Sequence, residues 1–224
     1  MRIKAVLFDF DDTLMDVNDG RRGAIEAVAA AIRSIHGVPI GEAIALLEII
    51  EREMERRAIF DRRKWFLSLY DRLGLSLEKG EALNLLRIYW GTWAKLSKAY
   101  PDTEPALQML KPRVSLGIIA NTDGVNGFKR ARMEMSGILH YFDLIVVAGD
   151  DTPEVKPHPA PFLLAASLLH VDPEECLFVG DRVGSDIRGA MTAGMETALI
   201  RSREESPLPS IKLNSLMDID TYLS

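Results

Sequence analysis

The sequence predicts an α/β protein with a doubly wound, mostly parallel sheet into which a long helical segment is inserted. Five short apolar runs, rich in β-branched residues and bounded by turn residues, have the pattern of strands that are buried on both faces. Helical patterns alternate with the later runs, as in a sheet whose strands are joined by crossover helices. Residues 11–113 separate the first run from the second, which is far more than one crossover requires.

The predicted strands and helices alternate regularly after residue 103. The strands cover residues 3–10, 114–120, 143–149, 176–180 and 197–201. Helices are predicted at residues 104–111, 127–136, 160–170 and 185–193. Gly194 follows the last of these helices as its C-terminal cap.

The inserted segment is predicted to form a helical bundle. Apolar residues recur at helical spacing in four stripes: Ile25, Val28, Ala29, Ile32 and Ile35; Ile44, Leu47, Ile50 and Met54; Trp65, Phe66, Leu69 and Leu73; Leu83, Leu86, Trp90 and Trp93. Residues 37–39 and Gly74 mark breaks between helices. We interpret the tryptophans as core residues rather than cofactor contacts. The predicted domains are a Rossmann-like core of residues 1–15 and 98–224 and an all-helical domain of residues 16–97.

Composition excludes several classes of function. The formal net charge is −6 and no basic tract is present, which argues against nucleic-acid binding through bulk charge. No apolar run approaches the ~18 residues that a membrane-spanning helix needs, and the N-terminus lacks the pattern of a signal segment. The single cysteine, Cys176, is interpreted as a small buried apolar side chain. We expect a cytoplasmic protein, monomeric or homodimeric, without membrane or nucleic-acid partners.

Polar side chains follow four of the predicted strands, and the carboxyl ends of the strands are where open α/β sheets bind ligands. They are Asp9 and Asp11 after the first strand, Asn121, Thr122 and Asp123 after the second, Lys156 in the loop after the third, and Asp181 and Asp186 after the fourth. Each residue alone has a structural explanation, such as a helix cap or a turn. Their convergence on one edge of the sheet predicts an active site.

The chemistry of this set points to phosphoryl transfer. Several carboxylates stay ionised together only if a cation offsets their repulsion, and Mg²⁺ accepts carboxylates, water and a substrate phosphate as ligands. Lys156 adds a positive charge that can pair with a carboxylate and with a phosphoryl oxygen. Backbone N–H groups and a hydroxyl after the second strand can bind the remaining phosphoryl oxygens. One aspartate can attack phosphorus, and a carboxyl group two residues away on an extended strand can transfer the proton.

Three segments resemble the motifs of the haloacid dehalogenase superfamily of hydrolases. FDFDDTL resembles motif I, VKPHP contains the lysine of motif III, and GDRVGSD resembles motif IV. The inserted helices occupy the place of that family's helical cap. The resemblance implies that Asp9 is the nucleophile and Asp11 the general acid/base. It also implies that Mg²⁺ is held by the side chains of Asp9 and Asp181 and by the main-chain carbonyl of Asp11, with Asp186 next to these ligands.

Motif II departs from the family pattern, in which the second strand ends in Ser or Thr, often followed by Asn. Here Ala120 precedes Asn121, and Thr122 follows it. Either Ala120 occupies the motif position and the hydroxyl is lost, or Thr122 is the motif residue. We favour Thr122, so that Asn121, Thr122 and Lys156 are the predicted phosphate-binding residues.

The resulting hypothesis is a Mg²⁺-dependent phosphatase that acts on a small phosphorylated metabolite through an aspartyl-phosphate. A phosphomutase and a 2-haloacid dehalogenase are alternatives within the same superfamily. Relatives that cleave carbon–halogen bonds lack the second aspartate of motif I, so Asp11 argues against the dehalogenase. A non-catalytic binding protein on the same fold is a further alternative.

Overall fold

The computed structural model describes residues 3–57, 59–202, 204 and 211–223. These residues belong to two compact units. One unit, here the sheet unit, comprises Met1–Asp16, Lys98–Asn121 and Ser136–Ser224; the other, the helical unit, comprises Val17–Ser97 and Thr122–Met135. The units differ from the predicted domains in Asp16, which groups with the sheet unit, and in residues 122–135, which group with the inserted helices. That the two units are separate domains stays a prediction.

Six parallel strands form the sheet in the described part of the sheet unit, and this confirms the predicted α/β fold class. The strands are β1 (Ala5–Phe8), β4 (Ser115–Asn121), β5 (Leu144–Ala148), β6 (Cys176–Gly180), β7 (Glu196–Ile200) and β8 (Ile211–Leu213). Their order across the sheet is β5-β4-β1-β6-β7-β8. All four residues of the central strand β1 are inaccessible to solvent, which explains its unbroken apolar sequence. The short edge strand β8 was not predicted.

Helices and turns complete the sheet unit. They are α5 (Thr103–Leu110), α7 (Ala160–Leu169), α8 (Arg188–Thr192) and short turns at Leu139–Tyr141, Pro173–Glu175 and Leu216–Tyr222. A π-helical turn at Val183–Ile187 leads directly into α8, so the helix predicted at 185–193 is irregular in its first half. Gly194 follows α8 with a φ of 86°, as its predicted capping position requires.

A small antiparallel pair marks the two ends of the inserted segment. Strand β2 (Met15–Asp16) pairs with β3 (Lys98–Ala99) in the sheet unit. The carbonyl oxygen of Leu14 accepts hydrogen bonds from the Tyr100 N–H at 3.1 Å and from the Thr103 hydroxyl at 2.7 Å. The inserted segment therefore begins and ends beside one pair of strands, so its length does not interrupt the sheet. Strands of two residues carry no sequence pattern, and neither was predicted.

The helical unit consists of α1 (Asn18–His36), α2 (Ile40–Arg56), α3 (Arg62–Arg72), α4 (Lys79–Leu96) and α6 (Phe128–Glu134). Gly37 and Gly74 adopt left-handed φ values of 73° and 67° at the breaks. Most residues of the four predicted stripes are buried, but Ile35 and Leu83 are 52% and 39% exposed. Both lie near helix ends, beyond the packed middle turns. Helix α6 packs on α4, which explains why residues 122–135 group with this unit.

Two predicted features outside the site can be placed on the structure. No helix among the described residues is long and apolar enough to cross a membrane. Cys176 is buried at the start of β6, where burial and the nearby Glu175 and Asp172 raise the pKa of its thiol to about 11. A thiol with so high a pKa is a poor nucleophile near neutral pH, as expected for a packing residue.

Candidate active site

The candidate site lies at the carboxyl ends of β1 and β6 in the sheet unit. Asp9 directly follows β1, and its N–H donates to the carbonyl of Val179 at 2.9 Å, which extends the contact between the two strands by one residue. Asp181 directly follows β6, and Asp186 lies in the π-helical turn at Val183–Ile187. Parallel pairing in register therefore brings carboxylates that are 172 positions apart in the sequence to one edge.

Lys156 is the cation of this site. Its side chain is 2% exposed, and its Nζ lies 2.6 Å from Asp9 Oδ1 and 2.7 Å from Asp186 Oδ1. Burial by itself would lower the pKa of Lys156, but the negative charges of Asp186 and Asp9 outweigh burial and raise it. The ammonium group is therefore held in its charged form, bound to two carboxylates at once.

Asn121, the last residue of β4, positions the lysine. Its side-chain oxygen accepts a hydrogen bond from the backbone N–H of Lys156 at 2.9 Å. The lysine belongs to the loop after β5, so this bond ties that loop to the end of the neighbouring strand. Asn121 therefore acts on the site through the backbone of Lys156. Its carboxamide oxygen already accepts the hydrogen bond from that backbone.

Asp9, Asp181 and Asp186 form an acidic group that could hold a metal ion. One carboxylate oxygen from each residue lies within 4.8 Å of the others. Burial, followed by the charges of Asp9 and Asp186, raises the pKa of Asp181 to about 8. The negative charges of Asp9 and Asp186 thus oppose the ionisation of Asp181, whereas Lys156 binds Asp9 and Asp186. Hard oxygen donors at this spacing fit a divalent cation such as Mg²⁺.

Asp11 and Asp12 lie in a tight turn after β1. The strand ends at Phe8, and Asp11 forms an isolated bridge with Met15, so the side-chain alternation of an extended strand does not orient Asp11. The carboxylate of Asp11 is not part of the group formed by Asp9, Asp181 and Asp186. Asp12 has a φ of 61°, a left-handed conformation that Asp tolerates better than most residues, and its N–H donates to Met15. Asp12 therefore shapes the turn.

The two candidates for motif II occupy different environments. Ala120 is buried within β4 opposite Val147 of β5. Thr122 belongs to the helical unit, where its hydroxyl accepts a hydrogen bond from the N–H of Gly124 at 3.1 Å. The next residue, Asp123, is buried in the same unit and forms a two-point ion pair with Arg132 at 2.9 and 3.1 Å. Thr122 thus stands at the point where the chain passes from one unit to the other.

Gly180 is a site residue that the sequence analysis missed. A Cβ added at Gly180 would lie 2.5 Å from Cβ and 2.7 Å from Oδ2 of Asp186. Asp186 Oδ2 also accepts the N–H of Arg182 at 3.0 Å, which closes the turn around the end of β6. The glycine in GDRVGSD was visible in the sequence, but only the packed turn shows that its missing side chain makes room for Asp186.

Gly180→Ala is expected to lower the free energy of unfolding by about 1–3 kcal/mol, because the new methyl group must displace Asp186 from Lys156. Gly184→Ala is the matched control, since a Cβ at Gly184 meets no atom within 4 Å. Urea unfolding followed by circular dichroism measures both variants. Equal stability of the two variants would show that Asp186 adapts without loss.

The chain matches the family model for haloacid dehalogenase-like hydrolases over residues 3–194. It is 35% identical over 203 residues to a glyceraldehyde 3-phosphate phosphatase of Methanopyrus kandleri, covering 89% of this chain and 84% of that protein. It is 27% identical to the human N-acylneuraminate-9-phosphatase, covering 99% and 94% of the two chains. The crystal structure of a HAD phosphatase from Thermococcus onnurineus superposes with a TM-score of 0.75 at 27% identity, covering 99% and 98% of the two chains.

These similarities confirm the resemblance found in the sequence motifs. The family match covers both the residues at the sheet edge and the inserted helices. The two relatives named above are phosphatases of small phosphorylated molecules, and the similar crystal structure is that of a HAD phosphatase. The chain belongs to the haloacid dehalogenase-like hydrolases.

Proposed function

We propose that this hydrolase is a Mg²⁺-dependent phosphatase that cleaves a small phosphorylated metabolite through an aspartyl-phosphate intermediate. The observation that carries the proposal is the buried Lys156, bound to Asp9 and Asp186 beside the carboxylate of Asp181. This arrangement places the carboxylate of Asp9 against an ammonium group and fixes its orientation, as a nucleophile requires. It also leaves a concentration of negative charge that a divalent cation would balance.

Asp9 is assigned as the nucleophile. One of its oxygens, Oδ1, is held by the ammonium group of Lys156, which orients the carboxylate toward an incoming phosphoryl group. An oxygen of Asp9 attacks phosphorus, and the bond from phosphorus to the leaving oxygen breaks. Asp11 gives its proton to that leaving oxygen, then takes a proton from the water that hydrolyses the aspartyl-phosphate. Both carboxyl groups thereby return to their starting states.

Asp9, Asp181, Asp186 and the main-chain carbonyl of Asp11 would hold the Mg²⁺ ion. When bound, the ion neutralises charge on the carboxylates and on the phosphoryl oxygens. The chain itself supplies phosphate binding through Lys156, through N–H groups after β4 and through the hydroxyl of Thr122. In this assignment Asn121 contributes mainly by holding the backbone of Lys156.

The named relatives support a small phosphate monoester as substrate. One acts on glyceraldehyde 3-phosphate and another on an N-acylneuraminate 9-phosphate. These molecules share a phosphate ester on a hydroxylated carbon chain. Breaking the ester needs a proton for the leaving oxygen, which Asp11 supplies, whereas loss of halide from a 2-haloacid needs none. Asp11 therefore favours the phosphatase over the dehalogenase.

Replacing Asp9 by Asn is expected to lower kcat for p-nitrophenyl phosphate by about a thousandfold or more, because the amide is no longer a nucleophile. Asp11→Asn is expected to lower kcat by about a hundredfold or more through loss of the proton donor. Asp12→Asn is the matched control, because asparagine also tolerates the left-handed turn. Full activity of Asp9→Asn would refute the assignment.

Removal of divalent cations by EDTA is expected to abolish phosphate release, and added Mg²⁺ should restore it. Asp181→Asn should raise the Mg²⁺ concentration needed for half-maximal activity at least tenfold, since one ligand loses its charge. The control is Asp71→Asn, an exposed position on α3. Activity that persists after complete removal of divalent cations would exclude the metal-dependent mechanism.

Thr122→Ala is expected to raise KM for a phosphate ester about tenfold, the loss that follows from one hydrogen bond to a charged group. Thr122→Ser keeps the hydroxyl and should retain KM near the parent value. If both variants behave like the parent, Ala120 occupies the motif position and the phosphate is bound without a side-chain hydroxyl.

A further inference from the structure

Arg182 is a charged side chain beside the candidate active site that the proposed chemistry does not use. It directly follows Asp181, and its Nε lies 3.8 Å from Oδ2 of that carboxylate. The other oxygen of Asp181, Oδ1, accepts a hydrogen bond from the Thr13 hydroxyl at 3.4 Å. The side chain of Arg182 is 43% exposed, whereas that of Lys156 is 2% exposed. These two cations of the site therefore differ in their access to water.

The main chain of Arg182 is fixed independently of its side chain. Its N–H donates to Oδ2 of Asp186 at 3.0 Å, and its carbonyl accepts the N–H groups of Asp186 at 3.0 Å and Ile187 at 3.3 Å. These bonds begin the π-helical turn after β6. A substitution at position 182 keeps all three bonds, so it changes the charge beside Asp181 without removing the contacts that hold the turn.

Lys156 and Arg182 act on different carboxylates of the acidic group. Lys156 binds Asp9 and Asp186 at 2.6 and 2.7 Å, and Arg182 faces Asp181. Burial is the largest cause that raises the pKa of Asp181, followed by the charges of Asp9 and Asp186. The positive charge of Arg182 lowers that pKa. Arg182 therefore offsets part of the negative charge at the carboxylate next to it.

The same positive charge opposes a divalent cation on these carboxylates. Mg²⁺ brings two positive charges to the group formed by Asp9, Asp181 and Asp186, and like charges repel. Lys156 is enclosed and hydrogen-bonded to two carboxylates, whereas the guanidinium group of Arg182 is partly in water, which can stabilise it when it turns away from Asp181. Exposure also screens the repulsion, so the effect on affinity is a modest factor.

We propose that Arg182 is a positioning residue that acts through Asp181: it serves as the counter-charge of this carboxylate when no metal is bound, and it lowers the affinity of the site for Mg²⁺. The inference rests on the proposed function, because it takes the acidic group as the Mg²⁺ site. The sign of the effect is the same whether or not Asp181 carries a proton, since Mg²⁺ brings two positive charges and a displaced proton removes one. Loss of the charge at position 182 therefore strengthens metal binding.

The affinity is measured by isothermal titration calorimetry of Mg²⁺ into the metal-free full chain, at one pH and one ionic strength. Arg182→Gln is expected to lower the Kd for Mg²⁺ by about three- to tenfold, and Arg182→Glu, which reverses the charge, should lower it further. Arg182→Lys keeps the charge and should stay within about twofold of the parent. A Kd that follows the charge at position 182 is a result that a merely structural role would not give.

Arg113→Gln is the matched control. The side chain of Arg113 is 38% exposed and also faces a carboxylate, that of Asp220, but it precedes β4 and so lies at the amino end of that strand. Its loss changes the net charge of the chain by the same amount as the loss of Arg182, so an effect of overall charge would appear in both variants. The Kd of Arg113→Gln for Mg²⁺ is expected to equal that of the parent.

Unfolding in urea gives a second measurement that does not depend on activity. In EDTA, Arg182→Gln is expected to unfold at a lower urea concentration than the parent, because Asp181 has lost its counter-charge. Saturating Mg²⁺ should remove that difference, since a ligand that binds the folded state more tightly adds more stability. A side chain needed only for packing would change stability equally with and without Mg²⁺. Should Arg182→Glu fail to fold, Arg182→Gln and Arg182→Lys retain the comparison of charge.

The Mg²⁺ titrations can also overturn the proposal. Equal Kd values for the parent, Arg182→Gln and Arg182→Glu would do so, while hydrolysis of p-nitrophenyl phosphate by the parent would leave the proposed function standing. A higher Kd for Arg182→Gln would show that Arg182 helps to retain the metal. An unchanged Kd with a raised KM for p-nitrophenyl phosphate would assign Arg182 to phosphate binding instead. Absence of Mg²⁺ binding in the parent and in all variants would refute the metal-dependent function together with this inference.

Discussion

The arrangement of the sheet edge depends on the buried ammonium group of Lys156. Two carboxylates, from the end of β1 and from the π-helical turn after β6, share this one cation at 2.6 and 2.7 Å. Asp9, Asp181 and Asp186 place carboxylate oxygens within 4.8 Å of one another in a largely buried place, and Lys156 offsets the repulsion between Asp9 and Asp186, while Arg182 lies 3.8 Å from Asp181. Asn121 holds the lysine backbone and Gly180 makes room for Asp186, so neighbouring strands cooperate to keep the charges in contact.

This constraint explains how the fold combines a rigid site with a long insertion. Asp9 and Asp181 directly follow strands that are buried and hydrogen-bonded on both sides, which limits the movement of these two carboxylates. The insertion begins and ends at the β2–β3 pair. The carbonyl of the neighbouring residue Leu14 accepts hydrogen bonds from Tyr100 and Thr103. Sequence variation within the helices can therefore occur without changing the sheet on which the site is built.

The helical unit contains a polar interior that is unusual for a bundle core. Its tryptophans have helical spacing and are buried, as the interpretation of core residues requires. The indole nitrogens of Trp90 and Trp93 and Nε of Arg62 have no hydrogen-bond partner within the described residues, whereas another nitrogen of Arg62 donates to the carbonyl of Phe60 at 3.3 Å. Burial and spacing agree with a structural role for these tryptophans.

The sequence alone determined the parallel sheet, the helical insertion and the family, because apolar periodicity and the residues that follow each strand are local features. It also placed Asp9, Lys156, Asp181 and Asp186 at one edge, since parallel strands align their carboxyl ends. Only the tertiary structure decided that Lys156 pairs with Asp186 as well as Asp9, that Gly180 accommodates Asp186, and that residues 122–135 join the helices. The physical reason is that these features are contacts between distant segments, where distance and direction matter more than residue type.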